Sequence, residues 1–442
     1  MLRAAELLKQ QTPRLGEQEL NRFVQSFLDR RDLFLAAARS QGSPLYVIDP
    51  AVLKARAKRF KEAFAAAFPR FKAYFALKSN SHPLVASTLV SEGIGLDVSS
   101  GLELELALSQ GTNDIVFSGP GKTHDEIELA VRHRDRVTIL LDSFAELDRA
   151  ERIATSQQAV VRAGVRLTTD DSGIWRKFGI PLEELGRFLV QARSCQHVKL
   201  RGMQFHISWN LNPESQVLFI ARLGAELRRL APKHLGKMEF LDIGGGFWPD
   251  QGEWLQPAAT PQGMLHAALA EKPYNGREHF KRSASSIADF ADHLAQAVTK
   301  HLPGDTDCTI CAEPGRWLCH EAMHLLLTVI DRKLSDVVIT DGGTNAVGWE
   351  RFETDFFPVI NLSRPGLHEH ECLVAGSLCT PHDIWGYSYF GEGIEPGDIL
   401  LVPNQGAYTY SLRQQFIKPL PSTAVLPHTA PVKGEGQSEV VR

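Results

Sequence analysis

The 442-residue chain has few cysteines, no long apolar run and no excess of charge of either sign. Six cysteines are spread thinly along it, which argues against a disulfide framework and indicates a reducing compartment such as the cytoplasm. No apolar run approaches the length of a membrane span, and the first ten residues lack the apolar core of a signal peptide. The formal net charge of -4 gives no electrostatic reason to expect binding to nucleic acid or to an anionic membrane.

One apolar and aromatic stretch, residues 71–77, leads directly to Lys78, and a Ser-Asn-Ser-His-Pro run follows. This pattern predicts a strand over 71–78 that ends in a turn. Alternation places Tyr74, Ala76 and Lys78 on one side of that strand. A lysine at the carboxyl end of a buried strand suits a carbonyl-binding amine in an α/β barrel. On this stretch alone, a solvated lysine that caps a surface strand remains the simpler interpretation.

Strand and helix patterns alternate regularly along residues 43–322, after a helical segment at 1–42 that we expect to pack on a sheet domain. This alternation is typical of parallel βαβ units. The candidate strands lie at 45–49, 71–78, 94–98, 114–118, 137–142, 159–167, 199–206, 238–243 and 307–313. Nine strands are one more than a closed eight-stranded barrel needs, so we assign the first to a neighbouring sheet. An open doubly wound sheet is the alternative, although no dinucleotide fingerprint is clear.

Three segments depart from this alternation. The Pro- and Gly-rich residues 248–284 predict a flap over the pocket or a partner contact, because loops of that length are usually functional or disordered. Residues 323–420 contain short β-rich runs, including 407–412, and predict a separate antiparallel sheet domain. Residues 421–442 predict a disordered tail.

Two glycine-containing segments at strand ends are candidates for binding a phosphate. Three glycines at 244–246 follow an apolar strand, so backbone N–H groups can approach an anion closely. Glu313 and Arg316 flank a Pro-Gly bend, so both side chains can face one cavity mouth. Arg316 could clamp the same phosphate, and Glu313 could hold a proton on a ring nitrogen. The alternatives are a glycine turn needed for packing and a structural salt bridge.

Other polar residues also lie at candidate strand ends, namely Asp97, Arg166 and His206. A lone histidine in such a place is more often structural than reactive. Glu103 has the spacing of a capping box, so a helix cap and a pocket acid both remain open. Cys379 follows a glycine in the second domain, and it could act as an acid or nucleophile if its thiol is exposed.

Taken in order, these segments resemble the fold-type III pyridoxal-phosphate decarboxylases, the group of diaminopimelate, ornithine and biosynthetic arginine decarboxylases. The resemblance runs from about Pro44 to Pro419. It is carried by Phe75-Ala-Leu-Lys78-Ser-Asn, Asp97 with Glu103, Arg166 with Lys177-Phe-Gly, His206, Gly244-Gly-Gly-Phe, Glu313-Pro-Gly-Arg316, Asp341-Gly-Gly, Cys379 with Asp383, and Gly406-Ala-Tyr408. It implies a (β/α)8 TIM-like barrel followed by a C-terminal antiparallel β-sandwich domain, in a pyridoxal-phosphate-dependent carboxy-lyase.

The resemblance also implies roles for individual residues. Lys78 would form the Schiff base with the aldehyde of pyridoxal 5'-phosphate, His206 would stack on the pyridine ring, and Glu313 would pair with its nitrogen. A carboxylate there keeps the ring protonated and able to accept electrons, whereas the related alanine racemases place an arginine there. The cofactor-binding set that it implies is Lys78, Asp97, Arg166, His206, Gly244, Gly245, Gly246, Glu313, Arg316 and Tyr408.

Members of the resembled family are dimers with the pocket at the interface. Cys379 and Asp383 would therefore come from the partner chain. The cysteine would protonate the reaction intermediate after carbon dioxide leaves. We assign Glu103, Asp341 and Thr380 to substrate binding.

Two departures from the family pattern bear on the substrate. The family usually has Gly-Ser where this chain has Ser208 and Trp209, and an acid where this chain has Thr380. A neutral hydroxyl cannot offset a buried ammonium as a carboxylate does. We therefore expect a diamino acid derivative with a neutral, anionic or conjugated distal end, such as a citrate-conjugated intermediate of siderophore biosynthesis. The alternatives are an ordinary diaminopimelate, ornithine or lysine decarboxylase and a catalytically inactive regulatory homologue, which usually lacks the lysine or the cysteine.

A group of cysteines near the last barrel strand imitates a zinc pattern. Cys308 and Cys311 fall on opposite faces of a strand, so they cannot present both thiols to one ion together with Cys319 and His320. We expect no metal site.

Overall fold

The structure is a computed structural model that describes residues 11–170, 172–230, 238–270, 278–303, 308–348 and 354–427. Residues 1–10 of the predicted 1–42 helical segment and residues 428–442 of the predicted 421–442 tail lie outside these ranges. Within the described ranges, no helix is long and apolar enough to cross a bilayer.

The chain alternates strands and helices up to residue 322 and is mostly strand beyond it. The strands are β1 (Leu45–Ile48), β2 (Phe71–Ala76), β3 (Gly95–Val98), β4 (Ile115–Phe117), β5 (Val137–Leu141), β6 (Val161–Leu167), β7 (Val198–Phe205), β8 (Phe240–Asp242), β9 (Glu253–Leu255), β10 (Phe280–Arg282), β11 (Thr309–Ala312), β12 (Met323–Leu334), β13 (Val337–Thr340), β14 (Ile360–Asn361), β15 (Glu369–Ala375), β16 (Ile384–Phe390), β17 (Ile399–Val402) and β18 (Ser422–Val425). The helices are α1 (Glu17–Leu28), α2 (Arg31–Gln41), α3 (Pro50–Ala67), α4 (Pro83–Ser91), α5 (Gly101–Ser109), α6 (His124–Arg132), α7 (Phe144–Ser156), α8 (Leu185–Ser194), α9 (Glu214–Arg229), α10 (Pro261–Ala270), α11 (Ile287–His301) and α12 (Arg316–Cys319).

Eight parallel strands close into a barrel in the order β11-β2-β3-β4-β5-β6-β7-β8. The predicted barrel is therefore confirmed. Because all strands run the same way, their carboxyl ends meet at one face, which is where active sites of this architecture lie. Strand β2 ends at Ala76, two residues earlier than predicted, and Lys78 lies in a short 3-10 turn over Leu77–Ser79.

Aromatic rings fill the inside of the barrel, and glycines on neighbouring strands make room for them. Tyr74 and Phe240 belong to a small interior cluster. A Cβ on Gly202 would lie 2.4 Å from the Phe240 ring, and one on Gly95 would lie 2.5 Å from Tyr74. The barrel is a packed core rather than a pore, so ligand space is confined to its carboxyl face.

The outward side chains of β2 pack under the surrounding helices. Ala73, Phe75 and Leu77 belong to the large cluster between barrel and helices, which confirms the predicted alternation along this stretch. Helix α3 begins where the Asp49 side chain accepts the N–H of Ala51, and a proline at its first position fits that start. These contacts fix the helix that supports the Lys78 strand.

The second domain is one eight-stranded sheet in the order β13-β15-β16-β14-β17-β12-β1-β18, with an additional β13–β12 pairing. It is mostly antiparallel, with parallel pairs at β1–β18, β13–β15 and β14–β16. The first predicted strand does join this neighbouring sheet, as β1.

Two sequence predictions about the second domain are wrong in detail. Residues 422–425 form a strand against β1, because a row of backbone groups on β1 is available for pairing. Residues 407–412 form a turn and a 3-10 helix at Tyr410–Leu412 instead of a strand. The backbone of Tyr408 has a φ of 58°, which a strand does not permit.

The N-terminal helices and the 248–284 segment lie together on the sheet domain. Phe27 and Phe34 belong to a cluster with Leu401 of β17 and Trp254 of β9. The 248–284 segment is not a long irregular loop, since it contains helix α10 and the antiparallel strands β9 and β10. The described part of this segment packs against the N-terminal helices through contacts such as Phe23 with Trp254.

Candidate active site

A cavity of about 720 Å³ opens at the carboxyl face of the barrel, between the barrel and the sheet domain. A volume in this range suits a cofactor together with a small substrate. Its polar lining comes from both domains. The lining residues that carry chemistry are Lys78, His206, Glu313, Arg316, His320, Asp355 and Tyr408.

Lys78 faces the cavity beside Asp97, the residue before the last in β3. Lys78 Nζ lies 3.6 Å from Asp97 Oδ2, and Ser118 Oγ donates a hydrogen bond to Oδ1 of the same carboxylate. Burial by itself lowers the pKa of Lys78, but the Asp97 carboxylate outweighs it together with Tyr408 and Glu313, so the net pKa is raised. Burial also raises the pKa of Asp97 to about 6. The pair therefore holds a cationic amine at the cavity wall.

His206, which follows β7, is a neutral imidazole. Burial lowers its pKa well below the ordinary value, and the positive charges of Lys78 and Arg166 lower it further. Its Nδ1 accepts the backbone N–H of Gly245 at 3.1 Å, so the proton of the neutral ring is on Nε2. Nδ1 also lies 3.4 Å from Glu313 Oε2, but a neutral ring that accepts at Nδ1 forms no ion pair there.

The glycine turn after β8 is packed tightly against backbone on both sides. A Cβ would lie 2.3 Å from Phe205 O at Gly244, 2.2 Å from Glu313 O at Gly245 and 2.0 Å from Ile207 O at Gly246. Gly244 donates its N–H to Asp242 Oδ1 at 2.9 Å, and Gly245 donates to His206. Gly246 is the member of the three that lines the cavity.

Glu313, at the end of β11, is almost fully buried and is tied to two further polar residues. Gln204 Nε2 donates to Glu313 Oε1 at 3.2 Å. Burial raises the pKa of Asp242 well above its ordinary value, and the neighbouring Glu313 charge raises it further. The raised pKa favours the protonated form of Asp242 beside Glu313.

Arg316 begins α12 and lies over two aromatic rings. Its Cζ is 4.5 Å from the centroid of the Trp248 ring and 5.0 Å from that of Tyr408. The N–H of Tyr408 donates to Ser79 O at 2.7 Å, which ties this side of the cavity to the Lys78 turn.

Arg166 and Glu103 do not line the cavity but lie behind it. The Arg166 guanidinium packs 4.6 Å from the Phe178 ring, and its Nε lies 3.8 Å from Asp142 Oδ1. Glu103 Oε2 accepts the N–H of Ser99 at 2.7 Å. This contact favours the helix-cap interpretation of Glu103 over the pocket acid.

Four residues predicted from the second domain do not line the cavity of their own chain, unlike Tyr408; they are Asp341, Cys379, Thr380 and Asp383. Cys379 is exposed. Asp383, predicted as catalytic, is buried, and its carboxylate accepts N–H groups of Thr344 and Leu378, each at 2.7 Å. Asp341, predicted to bind substrate, accepts the N–H of Thr328 at 2.9 Å. Both carboxylates fix turns within one chain, and their predicted roles in catalysis and substrate binding stay predictions.

Thr380 follows Cys379 on the turn that Asp383 stabilises, and it lies outside the cavity of its own chain. A Cβ on Gly376 would lie 2.2 Å from Asp383 Oδ2, so a glycine is needed for the carboxylate to approach the backbone there.

Cys311 belongs to the interior cluster of the barrel, whereas Cys308 packs against the outer one, as the strand geometry predicts. Among the described residues, no three His, Cys, Asp or Glu side chains are arranged to hold a metal ion.

The family model for the pyridoxal-binding domain of pyridoxal-dependent decarboxylases matches residues 51–320. The chain belongs to this family. It is 27% identical over 94% of its length to an L-glutamyl-[BtrI acyl-carrier protein] decarboxylase of Niallia circulans, of which the alignment covers 94%. It is also 27% identical to a diaminopimelate decarboxylase of Methanothermobacter thermautotrophicus, over 92% of this chain and 90% of that protein.

The fold comparison agrees with the sequence comparison. A diaminopimelate decarboxylase of Helicobacter pylori, solved with L-lysine, superposes with a TM-score of 0.72 at 24% identity, covering 89% of this chain and 94% of that one. The chain is therefore a pyridoxal-phosphate-dependent amino-acid decarboxylase.

The side chains of the cavity fit pyridoxal phosphate. This cofactor requires an amine for its aldehyde, a neutral imidazole, a buried carboxylate and a guanidinium beside a glycine turn, and the cavity contains all four. Asp97 Oδ2 is buried without a hydrogen-bond partner and faces the Lys78 amine, so it is available to hold a cationic nitrogen.

Sequence reasoning missed several residues of the site. Gln204 and Asp242 are polar residues within apolar strands, and that contrast was a usable signal. Gln204 also shares a strand face with His206, two positions on. Trp248 and Asp355 gave no comparable signal, since both reach the cavity from irregular segments.

Proposed function

We propose that this enzyme decarboxylates an amino acid whose distal end carries no free positive charge. The observation that carries the proposal is Thr380 beside the exposed Cys379. This position lacks the carboxylate that would receive a distal ammonium, and Asp383 and Asp341 have their carboxylates engaged by backbone N–H groups. A buried ammonium left without a counter-charge is strongly unfavourable.

The name of one relative supports the same substrate class. A glutamyl group attached to a carrier protein has a conjugated and uncharged distal end, and that relative matches this chain over nearly its whole length. A citrate-conjugated diamino acid would satisfy the same requirement. We therefore propose that the substrate is a conjugated amino acid. The two forms to compare are a carrier-bound glutamyl group and a citrate-conjugated diamino acid.

The residues of the cavity divide the chemistry among them. Pyridoxal phosphate, when bound, supplies the electron sink for the electron pair released when the carboxyl group departs. Lys78 would carry the cofactor aldehyde, and Asp97 would hold the adjacent nitrogen cationic across the 3.6 Å separation. Glu313 would keep a proton on the ring nitrogen, with Gln204 fixing its orientation. The neutral His206 would cover the ring face without adding a second positive charge.

We further infer that the enzyme is a cytoplasmic homodimer in which each Cys379 acts in the partner's cavity. The thiol is exposed, whereas the other five cysteines are buried or half-buried and all six are free. Asp383 fixes the turn through three hydrogen bonds from Thr344 and Leu378, so the thiol is held in place on the surface. A thiol at that place could return a proton to the carbon that loses carbon dioxide.

One observation favours an ordinary diamino-acid decarboxylase instead. Asp355 lines the cavity in addition to Glu313, so the chain itself contributes a second carboxylate to the cavity lining. If Asp355 received a distal ammonium, ornithine, lysine or diaminopimelate would be turned over well, and Asp355→Asn would abolish that turnover.

A substrate panel tests the proposal directly. Carbon dioxide release is measured from ornithine, lysine, diaminopimelate, a glutamyl thioester of pantetheine and a citryl diamino acid. We expect kcat/KM for at least one conjugate to exceed that for ornithine by about 100-fold, since one missing counter-charge is worth several kcal/mol. Fast turnover of ornithine that Asp355→Asn removes would refute the proposal and establish the alternative.

A further inference from the structure

The Arg316 side chain, which we assign to the phosphate of the cofactor, is held by aromatic contacts. Arg316 Cζ lies 4.5 Å from the Trp248 ring and 5.0 Å from the Tyr408 ring, and all three residues line the cavity. Trp248 is 5% exposed, so this ring is firmly packed rather than mobile at the surface. It comes directly after the glycine turn and Phe247, whereas Tyr408 comes from the sheet domain.

An aromatic face attracts a guanidinium electrostatically without accepting its N–H groups in ordinary hydrogen bonds. A stacked arginine therefore loses rotamer freedom while its fork of donors stays suited to a phosphate. That ordering reduces the entropy cost of binding the anion later. Indole is the strongest of the aromatic partners for a cation, so Trp248 should contribute more than Tyr408.

The backbone of Tyr408 supports this interpretation. Its φ of 58° is unfavourable for a bulky residue, and such conformations persist where surrounding contacts enforce them. The enforcing contact is the hydrogen bond from its N–H to Ser79 O, next to Lys78. The ring beside Arg316 is thus coupled to the turn that carries the reactive amine.

We propose that Trp248 is a positioning residue that pre-orders the Arg316 guanidinium for the phosphate group of the cofactor. The inference rests on the proposed role of Arg316 as phosphate clamp. Trp248 acts through Arg316, so its effect is on cofactor affinity rather than on the chemical step.

The test compares two ligands that differ only in the phosphate. Dissociation constants of pyridoxal phosphate and of pyridoxal are measured with the cofactor-free full chain, and their ratio isolates the contribution of the phosphate. The variants are Arg316→Leu, Trp248→Leu and Trp248→Phe. The matched control is Trp254→Leu, since Trp254 is also 5% exposed but packs against Phe23 and does not line the cavity.

We expect Trp248→Leu to reduce the ratio about tenfold, equivalent to about 1.4 kcal/mol, with a smaller reduction for Trp248→Phe and none for Trp254→Leu. If Arg316→Leu reduces the ratio and Trp248→Leu does not, the positioning role of Trp248 is refuted, whereas the phosphate-binding role of Arg316 is supported. If Arg316→Leu leaves the ratio unchanged, the clamp role itself is wrong. Trp248→Met replaces Trp248→Leu in the comparison if the latter does not fold.

Discussion

Replacing Asp97 by asparagine should lower the pKa of Lys78, and the structure sets the size of the effect. Lys78 Nζ lies 3.6 Å from Asp97 Oδ2. Coulomb's law gives about 1.2 kcal/mol for unit charges at that distance in bulk water and about 4.6 kcal/mol at an effective dielectric constant of about 20. The Lys78 side chain is 37% exposed to the cavity, which places the value toward the lower end. The expected decrease is therefore about 1 to 2 pKa units.

The assay follows the rate at which the cofactor-free protein captures pyridoxal phosphate as a function of pH, read from the absorbance of the bound cofactor. Only the neutral amine attacks an aldehyde, so a lower pKa increases this rate at pH 8 by about tenfold per unit. Lys78→Ala supplies the background from other lysines.

The control is Asp114→Asn, because Asp114 pairs with Lys72 at 2.6 Å, away from the cavity, and should leave the capture rate unchanged. A capture rate that is unchanged or slower in Asp97→Asn, with the protein folded, would refute the electrostatic coupling of Asp97 and Lys78.

Three further predictions concern the same residues and the second domain. Asp97→Asn should also raise the free energy of unfolding of the cofactor-free protein by up to about 3 kcal/mol above pH 6 and leave it unchanged below pH 4. The reason is that burial raises the pKa of the Asp97 carboxyl from 3.8 to about 6, so its ionisation opposes folding. Urea unfolding across pH measures this free energy, and a gain in stability at low pH would contradict the prediction. Thr380→Asp should raise kcat/KM for ornithine relative to a conjugated substrate by about tenfold or more, and an unchanged preference would show that Thr380 does not face the distal end. Asp383→Ala should lower the free energy of unfolding by about 1 to 3 kcal/mol for each buried N–H left unpaired, which calorimetry measures. The same substitution should lower kcat while the cofactor stays bound, because it releases the turn that carries Cys379. An unchanged rate of carbon dioxide release would show that Cys379 takes no part in the reaction.

The barrel could be read from the sequence because each strand there is an apolar run bounded by turn residues, and because parallel strands require helices between them. The ends of strands could be predicted less well. Lys78 belongs to a turn rather than to β2, and the sequence did not show this because the apolar pattern continues through Leu77, one residue beyond the end of the strand. The 407–412 run has strand composition, but contacts from Ser79 and the close approach of Gly406 to Cys319 O impose a turn. Tertiary contacts of this kind leave no local signal.

The site divides in the same way. Lys78, His206, Gly246, Glu313, Arg316 and Tyr408 meet in one cavity because they follow the carboxyl ends of barrel strands or face them from the sheet domain. For Asp341 and Asp383 the sequence indicates acidic residues but not their partners, and both proved to fix turns within their own chain. Trp248 could not be recognised, since its role depends on a guanidinium 68 positions later that only the fold brings to within 4.5 Å.

We assign Lys78 as the amine that holds the cofactor. Borohydride reduction of the holoenzyme, followed by proteolysis and mass spectrometry, locates the pyridoxyl group directly. We expect this group on the peptide that contains Lys78. We also expect that the Lys78→Ala protein neither acquires it nor releases carbon dioxide from any substrate of the panel. A label on another lysine, or an unlabelled enzyme that still decarboxylates, would refute the assignment of Lys78.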